Sequence, residues 1–373
     1  MSHHRTAVRE TSQLFDGAVG ETQPASLVSK HDYLIDPAQF PSEGNWAFCR
    51  FDGDDVPALR LGFQRGGFNG GIRERDPSPA YLQLHLELMT REGAILWLPS
   101  GMYPAGCVAS DPHALDIRLD DDNRNIFSFR GWPAIECHFS SDDQDLQADL
   151  RFVLDAVTTL PDCLLPHCLF AMWESMGEVR GSVRYRGRSA AVKGKVFFDH
   201  TRVIPRRHTV IPRHMYVYST LYFADGSGLF GYHSVDAYGC PIAGYCFHVY
   251  LDSAGKGEFL KDGALTRLLL DSDGIAKSWE ISGSTQGGPL RVNVAVRHTG
   301  IIRSWGAPGA PQTRREFSII PLVLDGTAQI SGKNGTEALN AYGLAEYFNS
   351  DLWPADKAAS PTGAGLSPLS DSL

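Results

Sequence analysis

Lys193-Gly194-Lys195-Val196-Phe197-Phe198-Asp199-His200 is the stretch on which the fold reading turns. A second strand-like run, Val179-Arg180-Gly181-Ser182-Val183-Arg184-Tyr185, lies just upstream, behind Trp173-Glu174. Together they predict a β-hairpin that carries an acid and an imidazole at one end, with a group of arginines following. Alternation along a strand places successive side chains on opposite faces. Val192, Val196, Phe198 and His200 therefore share one face, and Lys193, Lys195, Phe197 and Asp199 the other. The apolar set predicts His200 inward and Asp199 outward.

The same period of two recurs outward along the chain. Leu82, Leu84, Leu86 and Leu88 alternate with Gln83, His85 and Glu87; Leu290, Val292, Val294 and Val296 alternate with Arg291, Asn293 and Arg297. Asp-Gly pairs begin at Asp16, Asp52, Asp225, Asp262, Asp273 and Asp325, and Asn-Gly pairs at Asn69 and Asn334. Such pairs tolerate the positive φ of tight hairpins. Long amphipathic helices are missing from the pattern; Ala338 to Phe348 reads as a short helix or a final strand. The fold class is all-β, built of antiparallel barrels or sandwiches. The Pro-rich segment Leu160 to Pro166 predicts a boundary, giving one β domain over 27–165 and a second over 166–353. Residues 1–26 and 354–373 read as disordered tails.

The order Trp173-Glu174, hairpin, then Gly194-x-x-x-x-Asp199-His200 resembles the middle of the lipocalin-like hydroxyneurosporene synthase family. That family includes carotenoid 1,2-hydratases, AttH-like proteins, and the related Diels-Alderases and kievitone hydratase. The resemblance covers mainly Phe170 to Leu251, with a weaker echo at Tyr342 to Phe348. It implies two lipocalin-like β domains with a ligand cavity inside or between them. It also implies hydrophobic, often terpenoid or polyketide, substrates, and reactions that include water addition to alkenes and pericyclic ring closure. The family commonly continues its Asp-His pair with Asn/Ser-Trp-Gly. Here Thr201-Arg202-Val203 follows instead, so an arginine stands where a pocket-shaping tryptophan is usual.

Several residue types suit proton transfer. An inward His200 at a strand end either moves a proton, oriented by Asp199, or caps the strand. The stretch Leu229 to Tyr238 puts Asp236 with Phe230, Tyr232 and Tyr238, an aromatic setting that would desolvate a carboxyl and raise its pKa. The alternative for Asp236 is a strand-end acid accepting backbone hydrogen bonds. Glu174 and Glu346, each beside aromatic residues, are the substitutes for the acid role or are salt-bridge partners. Trp173, Tyr216, Tyr218 and His233 are expected to line a pocket, with His248 and His298 as further contacts or as core histidines. Arg202 and the basic loop Val203 to His214 suit carboxylate or phosphate groups, or else form a solvated loop.

Composition narrows the rest. A formal net charge of −9 at pH 7 gives no basic face for nucleic acid. No apolar run is long enough for a transmembrane helix, and Met1 to Glu21 lacks an apolar signal core, so a cytoplasmic protein is expected. Seven cysteines without a Cys-x-x-Cys spacing read as reduced thiols. Cys163, His167 and Cys168 lack a second ligand pair for zinc. The glycine-rich run from Gly62 to Gly71 fits no nucleotide motif. No metal or organic cofactor is expected. The functions in view are a cofactor-free hydratase/lyase or isomerase on a hydrophobic unsaturated small molecule, a cyclase that folds its substrate, and a non-catalytic carrier.

Overall fold

The computed structural model describes residues 22–25, 42–65, 81–97, 102–104, 108–110, 116–121, 124–142, 145–159, 163–164, 168–205, 214–300, 303–304, 318–332 and 335–349. A first sheet takes β1 (Thr22–Pro24), β2 (Ser42–Phe51), β3 (Ala58–Arg65), β4 (Tyr81–Thr90), β5 (Gly93–Trp97), β6 (Met102–Pro104), β7 (Val108–Ser110), β8 (Asp116–Asp121), β9 (Arg124–Arg130), β10 (Ala134–Ser141), β11 (Leu146–Thr159), β12 (Cys163–Leu164), β13 (Cys168–Tyr185) and β14 (Arg188–Pro205). A second sheet takes β15 (Met215–Phe223), β16 (Gly228–Val235), β17 (Pro241–Leu251), β18 (Gly257–Phe259), β19 (Lys261–Leu270), β20 (Ala276–Thr285), β21 (Gly288–Thr299), β22 (Arg303–Ser304), β23 (Ser318–Gly332) and β24 (Gly335–Asn349). Every pairing is antiparallel. The main paths run β5-β4-β3-β2-β14-β13-β11-β10-β9-β8-β7 and β18-β17-β16-β15-β24-β23-β21-β20-β19. These are two curled sheets, two lipocalin-like β domains.

The expected hairpin is the spine of the first sheet. Tyr185 pairs with Arg188 across a two-residue loop in which Arg186 and Gly187 both have positive φ, 48° and 73°. That geometry follows the twist of the flanking strands. The loop is tied down by Arg186 N–H donating to Asp145 O at 3.0 Å. Two Asp-Gly pairs are not turns. Asp262-Gly263 lies in β19 beside a register shift, and Asp325-Gly326 lies inside β23. At Gly326 a Cβ would stand 2.1 Å from Asn293 O, so this glycine serves close strand approach.

The sheet change falls later than the Pro-rich segment suggests. The short strand β12 pairs with β13, and β13 and β14 both belong to the first sheet. The crossing therefore lies between Pro205 and Met215, not at 165/166. Residues 22–24, expected within the N-terminal tail, form β1 against β11. The remainder of both tails, and the basic loop from Arg206 to Arg213, lie outside the described residues. Ala338 to Phe348 is strand, part of β24.

Three apolar layers result. One fills the curl of the first sheet, with Val196, Phe198, Phe129 and Phe152 among its members. Another fills the second sheet, with Val217, Leu221, Trp279 and Tyr347. Between the sheets lies a middle layer in which Phe48, Met172 and Phe197 of the first meet Tyr216, Tyr218, Phe230 and Phe348 of the second. The strand β14 thus has no solvent face from Val196 to Thr201. Asp199, expected outward, is 2% exposed, and His200 on the opposite face is 0% exposed. Alternation assigned the two faces correctly, but both are covered.

Candidate functional site

Register brings the polar groups of the middle layer together. On the first sheet Glu174 stands directly opposite Asp199, and Asp199 opposite Trp46. Facing side chains at such positions have Cβ atoms about 5 Å apart. One register step along, Arg60 on β3 lies opposite Phe48. On the second sheet Tyr218 has Tyr232 on one side and Glu346 on the other, while Tyr216 has Ser234 and Phe348. Glu174, Asp199, Arg60 and Glu346 are all buried.

Hydrogen bonds cross between the sheets. Tyr218 Oη donates to Glu174 Oε1. Arg60 Nη2 donates to Glu346 Oε1, and Tyr216 Oη donates to Glu346 Oε2 at 3.0 Å. Thr201 Oγ1 donates to Asp199 Oδ1 at 2.5 Å. The Arg60 guanidinium sits 4.6 Å above the Trp46 ring, a cation–π contact. The rings of Tyr218 and Tyr232 are 4.3 Å apart.

Burial dominates the electrostatics. It pushes the Glu174 carboxyl well above its ordinary value; the neighbouring Asp199 charge adds to this, and the Tyr218 hydrogen bond opposes it. Burial also raises Asp199 to about 7, against the Thr201 hydrogen bond and the Arg60 charge. Arg60 is lowered to about 9 by burial, opposed by the nearby tyrosines and Asp199. The Tyr218 hydroxyl is raised, by burial first and the Glu174 charge second, so it remains a donor. Two carboxyls that cannot both ionise cheaply share one site, which is the arrangement that separates an acid from a base. Glu174 Oε2 is buried and has no hydrogen-bond partner among the described residues. A protonated Glu174 thus has a carboxyl oxygen available for a proton transfer.

The expected site residues fall on several faces. His200 and Trp173 stack at 4.7 Å and 17°, but on the first sheet's inner face, behind Asp199 and Glu174. His233 and His248 lie on the inner face of the second sheet, lowered to about 4 and about 3 by burial, hence neutral. A single pocket shared by His200, Tyr218, His233 and Trp173 is therefore not formed, because the strands they occupy are covered on both sides. Asp236 is not among aromatic rings. It ends β16 in a turn, its Oδ1 accepting backbone N–H groups of Tyr238 at 2.9 Å and Cys240 at 2.8 Å, and Tyr238 is 91% exposed. His298 follows a register shift in β21, pairs with Val323 and is partly exposed beside Arg297. The backbone of Arg202 pairs with Ala171 and Glu43; its side chain lies outside the described residues.

Arg60, Trp46 and Ser234 were not read from the sequence, and Thr201 and Tyr232 were read only as neighbours of other candidates. Arg60 had a signal, a lone charge in the apolar run Ala58-Leu59-Arg60-Leu61. Among the described residues no group of three or more His, Cys, Asp or Glu side chains is placed to hold a metal ion.

No family model and no curated protein sequence matches the chain. Solved structures do. One is a putative AttH (NE1406) from Nitrosomonas europaea, with TM-score 0.59 and 11% identity, covering 86% of this chain and 96% of that one. CghA with Sch210972 gives TM-score 0.55 and 10% identity over 83% and 89% of the two chains. Kievitone hydratase from Nectria haematococca gives 0.51 and 10% over 88% and 96%. The chain shares the fold of these solved structures.

Proposed function

We propose that the chain is a cofactor-free enzyme that moves protons on a hydrophobic, unsaturated, terpenoid- or polyketide-like small molecule, by hydration, dehydration or isomerisation. The observation that carries this reading is the Glu174–Asp199 pair, two opposed and buried carboxyls with raised pKa in an aromatic layer. Glu174 serves as the acid. It donates its proton to an alkene carbon, and the rings of Tyr218 and Tyr232 stabilise the cation. Asp199, titrating near neutrality, takes a proton from water or from the adjacent carbon. Tyr218 and Thr201 orient the two carboxyls. Glu346, neutralised by Arg60, is a structural anion in this reading, and Asp236 and His200 act outside the reacting layer. The soluble, cytoplasmic setting expected from the sequence suits such an enzyme.

The test is turnover in deuterated water with a panel of unsaturated terpenoids, read by mass spectrometry. Products should carry solvent deuterium. Glu174→Gln and Asp199→Asn should each lower the rate by about 10²- to 10⁴-fold while the fold is kept. Turnover with neither deuterium uptake nor loss of one water would overturn the proton-transfer reading. It would favour ring closure by proximity, for which the hydrogen-bond donors Tyr216, Tyr218 and Arg60 are the supporting feature. Binding without turnover would favour a carrier.

A further inference from the structure

Ser234 is the one residue of β16 that the ladder to β17 skips. His233 pairs with Cys246 and Val235 with Pro241, so Ser234 sits in a bulge. Its backbone is satisfied by a side chain instead: Ser234 N–H donates to Cys246 Sγ at 3.4 Å, and the same thiol donates to Ser234 O at 3.1 Å. On its other side Ser234 is the register partner of Tyr216. It therefore shares the middle-layer face with Tyr216, Tyr218 and Tyr232. It is 0% exposed, and its hydroxyl has no hydrogen-bond partner among the described residues.

A buried hydroxyl without a partner calls for an explanation, since leaving it unpaired costs about 1–3 kcal/mol. Bulges re-aim side chains beside functional sites. Another unpaired polar atom facing this layer is Glu174 Oε2. Glu174 bonds Tyr218, and Ser234 flanks Tyr216. Two residues along a strand span about 7 Å. The two atoms thus belong to neighbouring positions of one layer.

We infer that Ser234 is a specificity residue that hydrogen-bonds a hydroxyl or carbonyl oxygen of a substrate bound in the layer that also holds Glu174. The inference rests on the proposed proton chemistry and narrows it: the substrate is an oxygenated unsaturated molecule, not a pure hydrocarbon. An alcohol or carbonyl pairs the Ser234 hydroxyl on binding; a hydrocarbon leaves it orphaned.

The probes are farnesol and the hydrocarbon farnesene, which share a carbon skeleton. Affinity is read by quenching of intrinsic fluorescence for the full chain, Ser234→Ala and Glu174→Gln. Wild type should bind farnesol about tenfold more tightly than farnesene. Ser234→Ala should lose that preference while keeping its affinity for farnesene and melting no lower than wild type. Cys246→Ala, which releases the bulge backbone, should weaken the preference in the same direction. Equal affinity of wild type for the two probes, or an unchanged preference in Ser234→Ala, overturns the assignment and leaves the acid–base reading standing. Binding of neither probe removes both.

Discussion

Replacing Asp199 by Asn should slow turnover about 10²- to 10⁴-fold and yet stabilise the protein at alkaline pH. Asp199 is 2% exposed. Folded, it titrates near 7; unfolded, it returns to its ordinary value of 3.8. Between those values the unfolded chain releases a proton that the folded chain retains, so stability falls as pH rises through this window. Below pH 3.8 both states are protonated and the penalty is absent; above about 7 it is complete. The gap corresponds to about 4 kcal/mol. An amide has no proton to lose, and its oxygen still accepts from Thr201. Most of the penalty should vanish in the variant, raising Tm by on the order of 5 °C at pH 8 and leaving it unchanged near pH 4. The assay is thermal unfolding of wild type and variant from pH 4 to 9, with the rate followed in parallel. Identical Tm profiles for the two proteins would refute the claim that burial raises this carboxyl. A gain that is as large at pH 4 as at pH 8 would refute its electrostatic origin.

Arg60→Met should destabilise by about 3–5 kcal/mol, because it strands Glu346 in the middle layer; adding Glu346→Gln should recover much of the loss, as read by urea unfolding. Tyr218→Phe removes the hydrogen bond that holds the Glu174 carboxyl down, so the alkaline limb of the pH–rate profile should move upward. Phe197→Ala empties a 0% exposed position between the sheets and should cost about 3–5 kcal/mol by the same unfolding assay. Gly343→Ala would place a Cβ 1.9 Å from Thr220 O, and the expected result is loss of soluble protein on expression.

The sequence carried the fold further than the site. Strict alternation in β4, β14 and β21 named the strands and sorted their faces, because the period of two is a local property. It could not say what covers each face. Asp199 looked outward only because a second sheet, supplied by residues far along the chain, was invisible to the local pattern. The same blindness misplaced Asp236: its neighbours Phe230 and Tyr232 share its strand parity, but the strand ends one residue earlier and the acid becomes a turn residue. The Pro-rich segment imitated a linker, since prolines flank short edge strands as well as domain boundaries. Glu174 was legible as a substitute acid and Asp199 as a residue orienting His200, but not the two as a pair. Their closeness to Arg60, Tyr218 and Glu346 depends on long-range packing that no spacing encodes.

The most direct measurement is infrared difference spectroscopy of the protonated-carboxyl band, titrated from pH 5 to 9 in wild type, Glu174→Gln and Asp199→Asn. Two buried protonated carboxyls should be present at pH 5. The band lost in Glu174→Gln should persist above neutrality, and the band lost in Asp199→Asn should disappear near pH 7. Both carboxyls ionised at pH 5 would contradict the acid–base assignment of the layer between the sheets.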